Sequence, residues 1–186
     1  MFRDIYALSK AVAQEQQLEY FHFWGHITKD PHQVDKSCLS QWFPATFAVE
    51  GIYYPTAEHF MMASKARLFE DTEVLAEILQ SSSPHEAKRL GRKVRSFDEK
   101  TWKQQRMDLV VRGNYAKFSQ HENLKDFLLS TGNKILVEAS PYDKIWGIGM
   151  AADHAKANNP QAWNGLNLLG FALMQVRESL RIDLTH

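Results

Sequence analysis

The chain has 186 residues and one cysteine, Cys38, and its 22 Lys and Arg residues balance its 22 Asp and Glu residues. This length suffices for one domain with a buried core, and the zero formal charge disfavours a strong overall attraction to nucleic acid or to an anionic membrane. A lone cysteine excludes an intramolecular disulfide framework and favours a reducing compartment. Because neither a signal-peptide pattern nor a membrane-spanning apolar run is present, the sequence predicts a cytoplasmic globular protein that does not contact membranes.

The first part of the chain predicts one helix and a few short strands. Apolar residues repeat at helical spacing within the first twenty residues. The aromatic run at 21–24 predicts a strand, and residues 46–54 predict a hairpin that turns at Glu50 and Gly51.

Helices dominate the remainder. Thr56, Asp71, Ser83 and Asp98 are predicted N-caps, because each precedes a segment of helical periodicity. A further helix around 124–129, a strand at 135–138 and a final helix from about Asn164 complete the pattern. The expected fold class is therefore mainly α (α+β), a single multihelical domain with a few short strands.

Glu58 and Lys65 form the first candidate for chemistry. Glu58 falls in the first turn of the predicted helix, where the helix dipole stabilises a carboxylate. Lys65 lies seven residues later and therefore on nearly the same helix face. The spacing fits both an ion pair and the floor of an active site.

Two glycine-containing segments form the other candidates. In residues 140–149, Asp143 precedes Trp146 and Gly147, a pattern that fits either a capped turn or contacts to ribose and a ring. At the start of the final helix, Asn167 fits either a cap or a phosphate contact. The histidines and Cys38 show no metal-binding spacing and no phosphate-binding loop is present, so we expect neither a metal site nor a cofactor.

Motifs in the order and spacing of a known family extend from about residue 20 to residue 180. They are Phe23-Trp24, Leu39 to Phe43, Gly51 to Phe60, Lys65-Ala66, Leu90 to Arg92, Trp102, Lys117-Phe118, Leu129 to Gly132, Val137 to Ser140, Asp143 to Gly149 and Gly165 to Gly170. Together they resemble the NADAR family, also called the YbiA-like family. Gln41 stands where the family pattern has asparagine, and the first nineteen residues fall outside the resemblance.

The resemblance implies an N-glycosidase domain at 20–186 behind an N-terminal helical extension at 1–19. It implies hydrolysis of the N-glycosidic bond of ribosylamino-pyrimidine 5′-phosphates, early intermediates of riboflavin synthesis, with release of ribose 5-phosphate. The expected partner is thus a small ribosyl phosphate; the oligomeric state is left open. The alternatives are hydrolysis of ADP-ribosyl-guanine on nucleic acid, which the neutral charge disfavours, and a non-catalytic module that binds NAD or ADP-ribose.

Carried onto this chain, the resemblance implies catalytic roles for Glu58 and Asp143 and for a lysine nucleophile, either Lys65 or Lys117. A carboxylate stabilises the positive charge that develops at the anomeric carbon, whereas a lysine attacks only when its amine is neutral. The residues expected to bind substrate are Phe23, Ser40, Trp42, His59, Trp102, Trp146, Gly147 and Asn167.

Overall fold

The computed structural model describes residues 2–184. They divide between two compact units, one formed by the described residues up to 40 and from 123 onwards and the other by 41–122. The described part of the predicted extension at 1–19 belongs to the first unit, and the terminal residues Met1, Thr185 and His186 lie outside the described residues. In chain order the elements are α1 (Ile5–Ala13), β1 (Tyr20–Phe23), β2 (Phe47–Val49), β3 (Ile52–Tyr54), α2 (Ala57–Leu68), α3 (Thr72–Gln80), α4 (Pro84–Gly91), α5 (Glu99–Ser119), α6 (Glu122–Ser130), β4 (Ile135–Glu138) and α7 (Leu168–Asp183). Short 3₁₀ helices occur at Lys36–Leu39 and Pro160–Ala162.

The mainly helical fold with a few short strands is confirmed. Thr56, Asp71, Ser83 and Asp98 all accept a backbone N–H at the starts of α2, α3, α4 and α5, as their cap signals predicted. The hairpin is also present: Glu50 and Gly51 both have positive φ, of 52° and 77°, which is the turn geometry that matches the twist of paired strands.

Two predicted boundaries are wrong. The N-terminal helix covers only Ile5–Ala13 of the first twenty residues. The last helix begins at Leu168 instead of near Asn164, because Asn167 adopts a left-handed conformation (φ 53°) that helical residues do not have.

The first unit is built around a parallel pair of strands, β1 and β4, in which Tyr20 lies opposite Ile135 and Phe23 opposite Glu138. Helix α7 packs on β4 so closely that a Cβ at Gly170 would lie 2.1 Å from the carbonyl oxygen of Leu136. Helix α1 packs against the short helix at Pro160–Ala162.

The second unit is built around α2, which contacts α3, α4 and α5 and buries nine of its twelve residues. A helix buried to this extent needs small residues on its neighbours. Gly91 of α4 and Gly113 of α5 supply them, since a Cβ there would lie 2.1 Å from Met62 and 2.4 Å from Phe60. Among residues 2–184, none of the helices is both long and apolar enough to cross a bilayer.

Candidate active site

Helix α2 begins with a buried carboxylate. Thr56 is extended, and its hydroxyl oxygen accepts the His59 N–H at 3.3 Å, which fixes the first turn. Glu58, the second residue of α2, is 3 % exposed, and its N–H donates to the Gln41 carbonyl at 2.9 Å. The start of α2 thus holds Glu58 beside the segment that begins at Gln41, with the positive end of the helix dipole favouring its ionised form.

Helix α5 brings an amide and an amine to the same segment. Asn114 and Lys117 lie one turn apart, and both are fully buried. The Asn114 side-chain Nδ2 donates to Gln41 Oε1 at 2.8 Å and to the Val110 carbonyl at 2.9 Å. The Lys117 ammonium lies 5.4 Å from the centroid of the Phe43 ring.

These contacts define one buried polar cluster, joined through residues 41–43. Its members are Gln41, Glu58, Asn114 and Lys117. Burial of polar and ionisable side chains is unfavourable for stability, so a cluster of four indicates function more than packing. A carboxylate and an amine held in a water-poor site are suited to stabilising positive charge and to nucleophilic attack.

Lys65 lies apart from this cluster. Its ammonium donates to the Gly91 carbonyl at 2.7 Å and lies 4.2 Å above the Phe97 ring and 5.9 Å from that of Trp102. Burial lowers the pKa of Lys65. Among residues 2–184 its ammonium forms no ion pair with Glu58, so the shared helix face did not produce the salt bridge that the spacing allowed.

His59 has both ring nitrogens engaged in the interior. Nδ1 lies 2.8 Å from the Thr56 hydroxyl and Nε2 lies 3.2 Å from the Ser81 carbonyl, and the residue is 1 % exposed. Because a carbonyl only accepts, Nε2 carries the proton and Nδ1 accepts from Thr56. Burial lowers the pKa of His59, and its position favours a role in joining α2 to the end of α3 over contact with a substrate.

The remaining aromatic and hydroxyl candidates differ in exposure. In the second unit Trp42 is half-buried, with its ring 6.2 Å from that of His85, and Trp102 is half-buried beside Lys65.

In the first unit Ser40 is half-buried and ends the 3₁₀ helix at Lys36–Leu39 by donating its N–H to the Ser37 carbonyl. Phe23 is 1 % exposed and lies in the core, which does not support the expectation that its ring lines a substrate.

Asp143 fixes the loop that follows β4. Its Oδ1 accepts the N–H groups of Ile145 at 2.8 Å and Trp146 at 2.7 Å, while its own N–H donates to Ser140 Oγ at 3.1 Å. Gly147 is buried, and a Cβ there would lie 2.8 Å from the Glu138 carbonyl. Trp146 is half-buried. Asp143 therefore does cap a turn, as one of the two sequence interpretations proposed, and its Oδ2 accepts no hydrogen bond from residues 2–184.

Asn167 is committed to the fold. It is fully buried, its Oδ1 accepts the Glu138 N–H at 2.9 Å, and its Nδ2 donates to the Leu136 carbonyl at 2.9 Å. The N–H groups of Asn167, Leu168 and Leu169 donate to the carbonyls of Gly147, Ile145 and Trp146. These bonds correct the expectation that Asn167 caps α7 through its side chain, and they leave neither its amide nor these N–H groups for a phosphate.

Comparison with known proteins identifies the family. A model of the NADAR domain matches residues 22–181. The chain belongs to the NADAR domain family. It is 43 % identical to N-glycosidase R617 of Acanthamoeba polyphaga mimivirus, over 86 % of this chain and 95 % of that protein.

Two further relatives have informative names. N-glycosidase YbiA of Escherichia coli is 36 % identical over 73 % of this chain and 76 % of its own length. Its NMR structure superimposes with a TM-score of 0.68, at 31 % identity, and the match covers 91 % of this chain and 90 % of that one. Riboflavin biosynthesis protein PYRR of Zea mays is 35 % identical over 68 % of this chain but only 20 % of that longer protein. The expected membership is confirmed, and the relatives' names agree with the expected class, a hydrolase acting on N-glycosyl bonds.

Asn114 is the cluster residue that the sequence did not single out. It stands inside a long helix, 73 residues from Gln41, and no local motif connects the two. An asparagine in a helix interior is the one available signal, because its side chain competes for backbone hydrogen bonds and its helix propensity is low. Within residues 2–184, no group of three or more His, Cys, Asp or Glu side chains is arranged to hold a metal ion.

Proposed function

We propose that this NADAR-family protein hydrolyses the N-glycosidic bond of a ribosylamino-pyrimidine 5′-phosphate, giving the free aminopyrimidine and ribose 5-phosphate. The buried polar cluster supports the proposal, because Glu58 of α2 and Lys117 of α5 are both buried and both lie against the short segment 41–43. The similarity to a maize riboflavin biosynthesis protein supports this substrate class.

Glu58 is the proposed charge stabiliser. Cleavage of an N-glycoside develops positive charge at the anomeric carbon, and an ionised carboxylate lowers the energy of that transition state. The position of Glu58 in the first turn of α2 favours its ionised form.

Lys117 is the proposed nucleophile. A ribosylamine opens to an imine, and attack of a neutral amine on that carbon expels the aminopyrimidine and leaves a lysine imine. Water then hydrolyses this imine, which releases ribose 5-phosphate and regenerates the amine. Lys117 is preferred over Lys65 because it belongs to the same cluster as Glu58, whereas the Lys65 ammonium lies against Gly91 and Phe97. Asp143, in the first unit, stays a prediction as the second carboxylate.

The test is release of ribose 5-phosphate from freshly made ribosylamino-pyrimidine 5′-phosphate by the purified protein. Glu58→Gln should lower kcat/KM by about a hundredfold or more, the usual effect of removing a group that stabilises transition-state charge. Glu122→Gln is the matched control, because Glu122 is also a first-turn glutamate but is exposed. Full activity in Glu58→Gln would refute the role of this carboxylate.

Borohydride reduction during turnover tests the lysine. An adduct should form on Lys117, persist in Lys65→Arg and disappear in Lys117→Arg. An adduct mapped to Lys65 would reverse the assignment, and undiminished turnover in Lys117→Arg would indicate direct attack by water. Faster turnover of ADP-ribosylated DNA than of the small phosphate would show that the substrate class is wrong.

A further inference from the structure

A groove opens on the second unit between the β2–β3 hairpin, α2 and α5. We call it the hairpin groove, and its volume is about 270 Å³. The α2 residues that line it include Phe60, Ser64 and Arg67, which lie roughly half a turn around the helix from Glu58. The hairpin groove is therefore separate from the buried polar cluster, although both belong to the same unit.

The floor of the hairpin groove contains two hydroxyl groups without an acceptor. Ser64 is only 6 % exposed, and within residues 2–184 its hydroxyl forms no hydrogen bond. Tyr54 is 2 % exposed; its oxygen accepts from Arg67 Nη2 at 2.7 Å, but the described part of the chain offers no acceptor to its O–H. Buried hydroxyls are normally hydrogen-bonded, so these two donors point to an acceptor supplied by a ligand.

Arg67 adds a positive charge that no carboxylate neutralises. Its guanidinium carbon lies 5.7 Å from the centroid of the Tyr54 ring, and one nitrogen donates to the Tyr54 hydroxyl. Between residues 2 and 184 it forms no ion pair. The contacts with Tyr54 orient the guanidinium and leave its other N–H groups for an oxyanion.

Helix α5 supplies a second guanidinium. Arg112 pairs with Glu50 at 2.6 Å, but both side chains are at least half exposed, and such pairs contribute little to stability. An anion in the hairpin groove can therefore take the place of Glu50. Gln105, two turns earlier on α5, adds a side-chain amide. Hydrogen-bond donors thus predominate along the groove, and Glu50 is the one carboxylate among the residues that line it.

The chemistry of this lining selects the ligand. A phosphate monoester has more oxygen acceptors than a carboxylate does, and the planar fork of arginine matches phosphate geometry. Phe60 and Leu109 add apolar surface to the same groove. We propose that the hairpin groove binds a phosphate monoester that carries an apolar group. Arg67 and Arg112 contact the phosphate, and the apolar group lies against Phe60 and Leu109.

The first test titrates phenyl phosphate into the purified protein and follows amide chemical shifts. Phenyl phosphate should bind and shift the signals of Ser64, Arg67 and Arg112. Phenol, which lacks the charge, and inorganic phosphate, which lacks the apolar group, should each bind at least tenfold more weakly. No binding of phenyl phosphate, or shifts confined to residues 41–43 and their neighbours, would overturn the site. Equal affinity for benzoate would overturn the preference for phosphate.

The second test uses variants of the lining. Arg67→Gln should weaken phenyl phosphate by about tenfold, the usual effect of losing a charge-assisted hydrogen bond, and Ser64→Ala by about threefold. Because Arg67 also contacts Tyr54, Arg112→Gln provides a second arginine variant with the same expected loss. The matched control is Arg89→Gln, which removes an exposed, glutamate-paired arginine of α4 and should leave the affinity unchanged. Unchanged affinity in either groove arginine variant would overturn the proposal.

Discussion

Two lysines of this chain show how environment separates residues of the same type. Both are near aromatic rings, but Lys65 is half-buried and donates to the last carbonyl of α4, whereas Lys117 is fully buried with its ammonium near the Phe43 and Phe118 rings. Burial lowers the pKa of Lys65, although Lys65 lies apart from the buried polar cluster. A lowered pKa therefore does not by itself identify the nucleophile. Membership of the buried cluster that also contains a carboxylate is the stronger criterion.

His59 leads to a prediction about pH. Because burial lowers its pKa, the folded state binds this proton less readily than the unfolded state does. The contribution of neutral His59 to stability is therefore present above about pH 6.5, the ordinary pKa of histidine, and is lost as pH falls below it. The hydrogen bond to the Ser81 carbonyl and, to a smaller extent, the charge of Glu86 favour protonation of His59 and offset this lowering of its pKa only in part.

We expect the free energy of unfolding of wild type to fall between pH 7.5 and pH 5.5, measured by urea denaturation. His59→Gln should be less stable at pH 7.5 but should show a shallower pH dependence. Burial also lowers the pKa of His22. His22 therefore accounts for part of the remaining pH dependence of the free energy of unfolding, and His22→Gln, which removes that part, is the comparison. An identical slope in His59→Gln and wild type would contradict the assignment.

At the scale of elements, the contact of α7 with β4 is the most constrained. A Cβ at Gly170 would meet the Leu136 carbonyl, a backbone atom that cannot rotate away, and the Asn167 amide that joins the two elements. The glycine weakens the helix locally by roughly 1 kcal/mol relative to alanine. The close approach therefore outweighs the helix propensity.

Gly170→Ala tests that balance. Overpacking against fixed backbone costs about 1–3 kcal/mol, so we expect a net loss of stability and a melting temperature lower by about 5 °C. Gln175→Ala, at a half-exposed position of α7, should change the melting temperature far less. A rise in melting temperature for Gly170→Ala would mean that α7 can move away from β4.

The sequence predicted the elements that depend on neighbouring residues. The N-caps, the hairpin turn and the strand at Ile135–Glu138 each follow from a few consecutive side chains. What it could not predict depends on distant pairs: the parallel pairing of β1 with β4, the 31-residue bond from Asn167 to Leu136, and the 73-residue bond from Asn114 to Gln41. The misplaced start of α7 has the same cause, because Asn167 is held by β4 and not by its own helix.

At the scale of the molecule, the N-terminal extension is part of the first unit. It precedes the residues matched by the NADAR domain, yet Leu8 is fully buried and Ala11 is 4 % exposed. Helix α1 begins at a proper cap, with the Asp4 side chain accepting the Ala7 N–H at 2.7 Å. The extension thus contributes core residues of its own.

Leu8→Ala measures that contribution. Removal of a buried leucine side chain costs about 2–5 kcal/mol, so the melting temperature should fall by about 10 °C. Tyr6→Ala is the control within the same helix, because Tyr6 is 78 % exposed, and it should have little effect. Equal melting temperatures for Leu8→Ala and wild type would show that α1 is dispensable for folding.

The bonds between α7 and the loop at 143–149 have a consequence for the entropy of binding. Asp143, Gly147 and the first N–H groups of α7 hold the backbone of this loop from both sides. Ordering a flexible backbone costs about 1–2 kcal/mol per residue, and here that cost arises when the chain folds. A ligand that contacts Asp143 therefore meets a preorganised loop, and binding needs to order only the ligand itself.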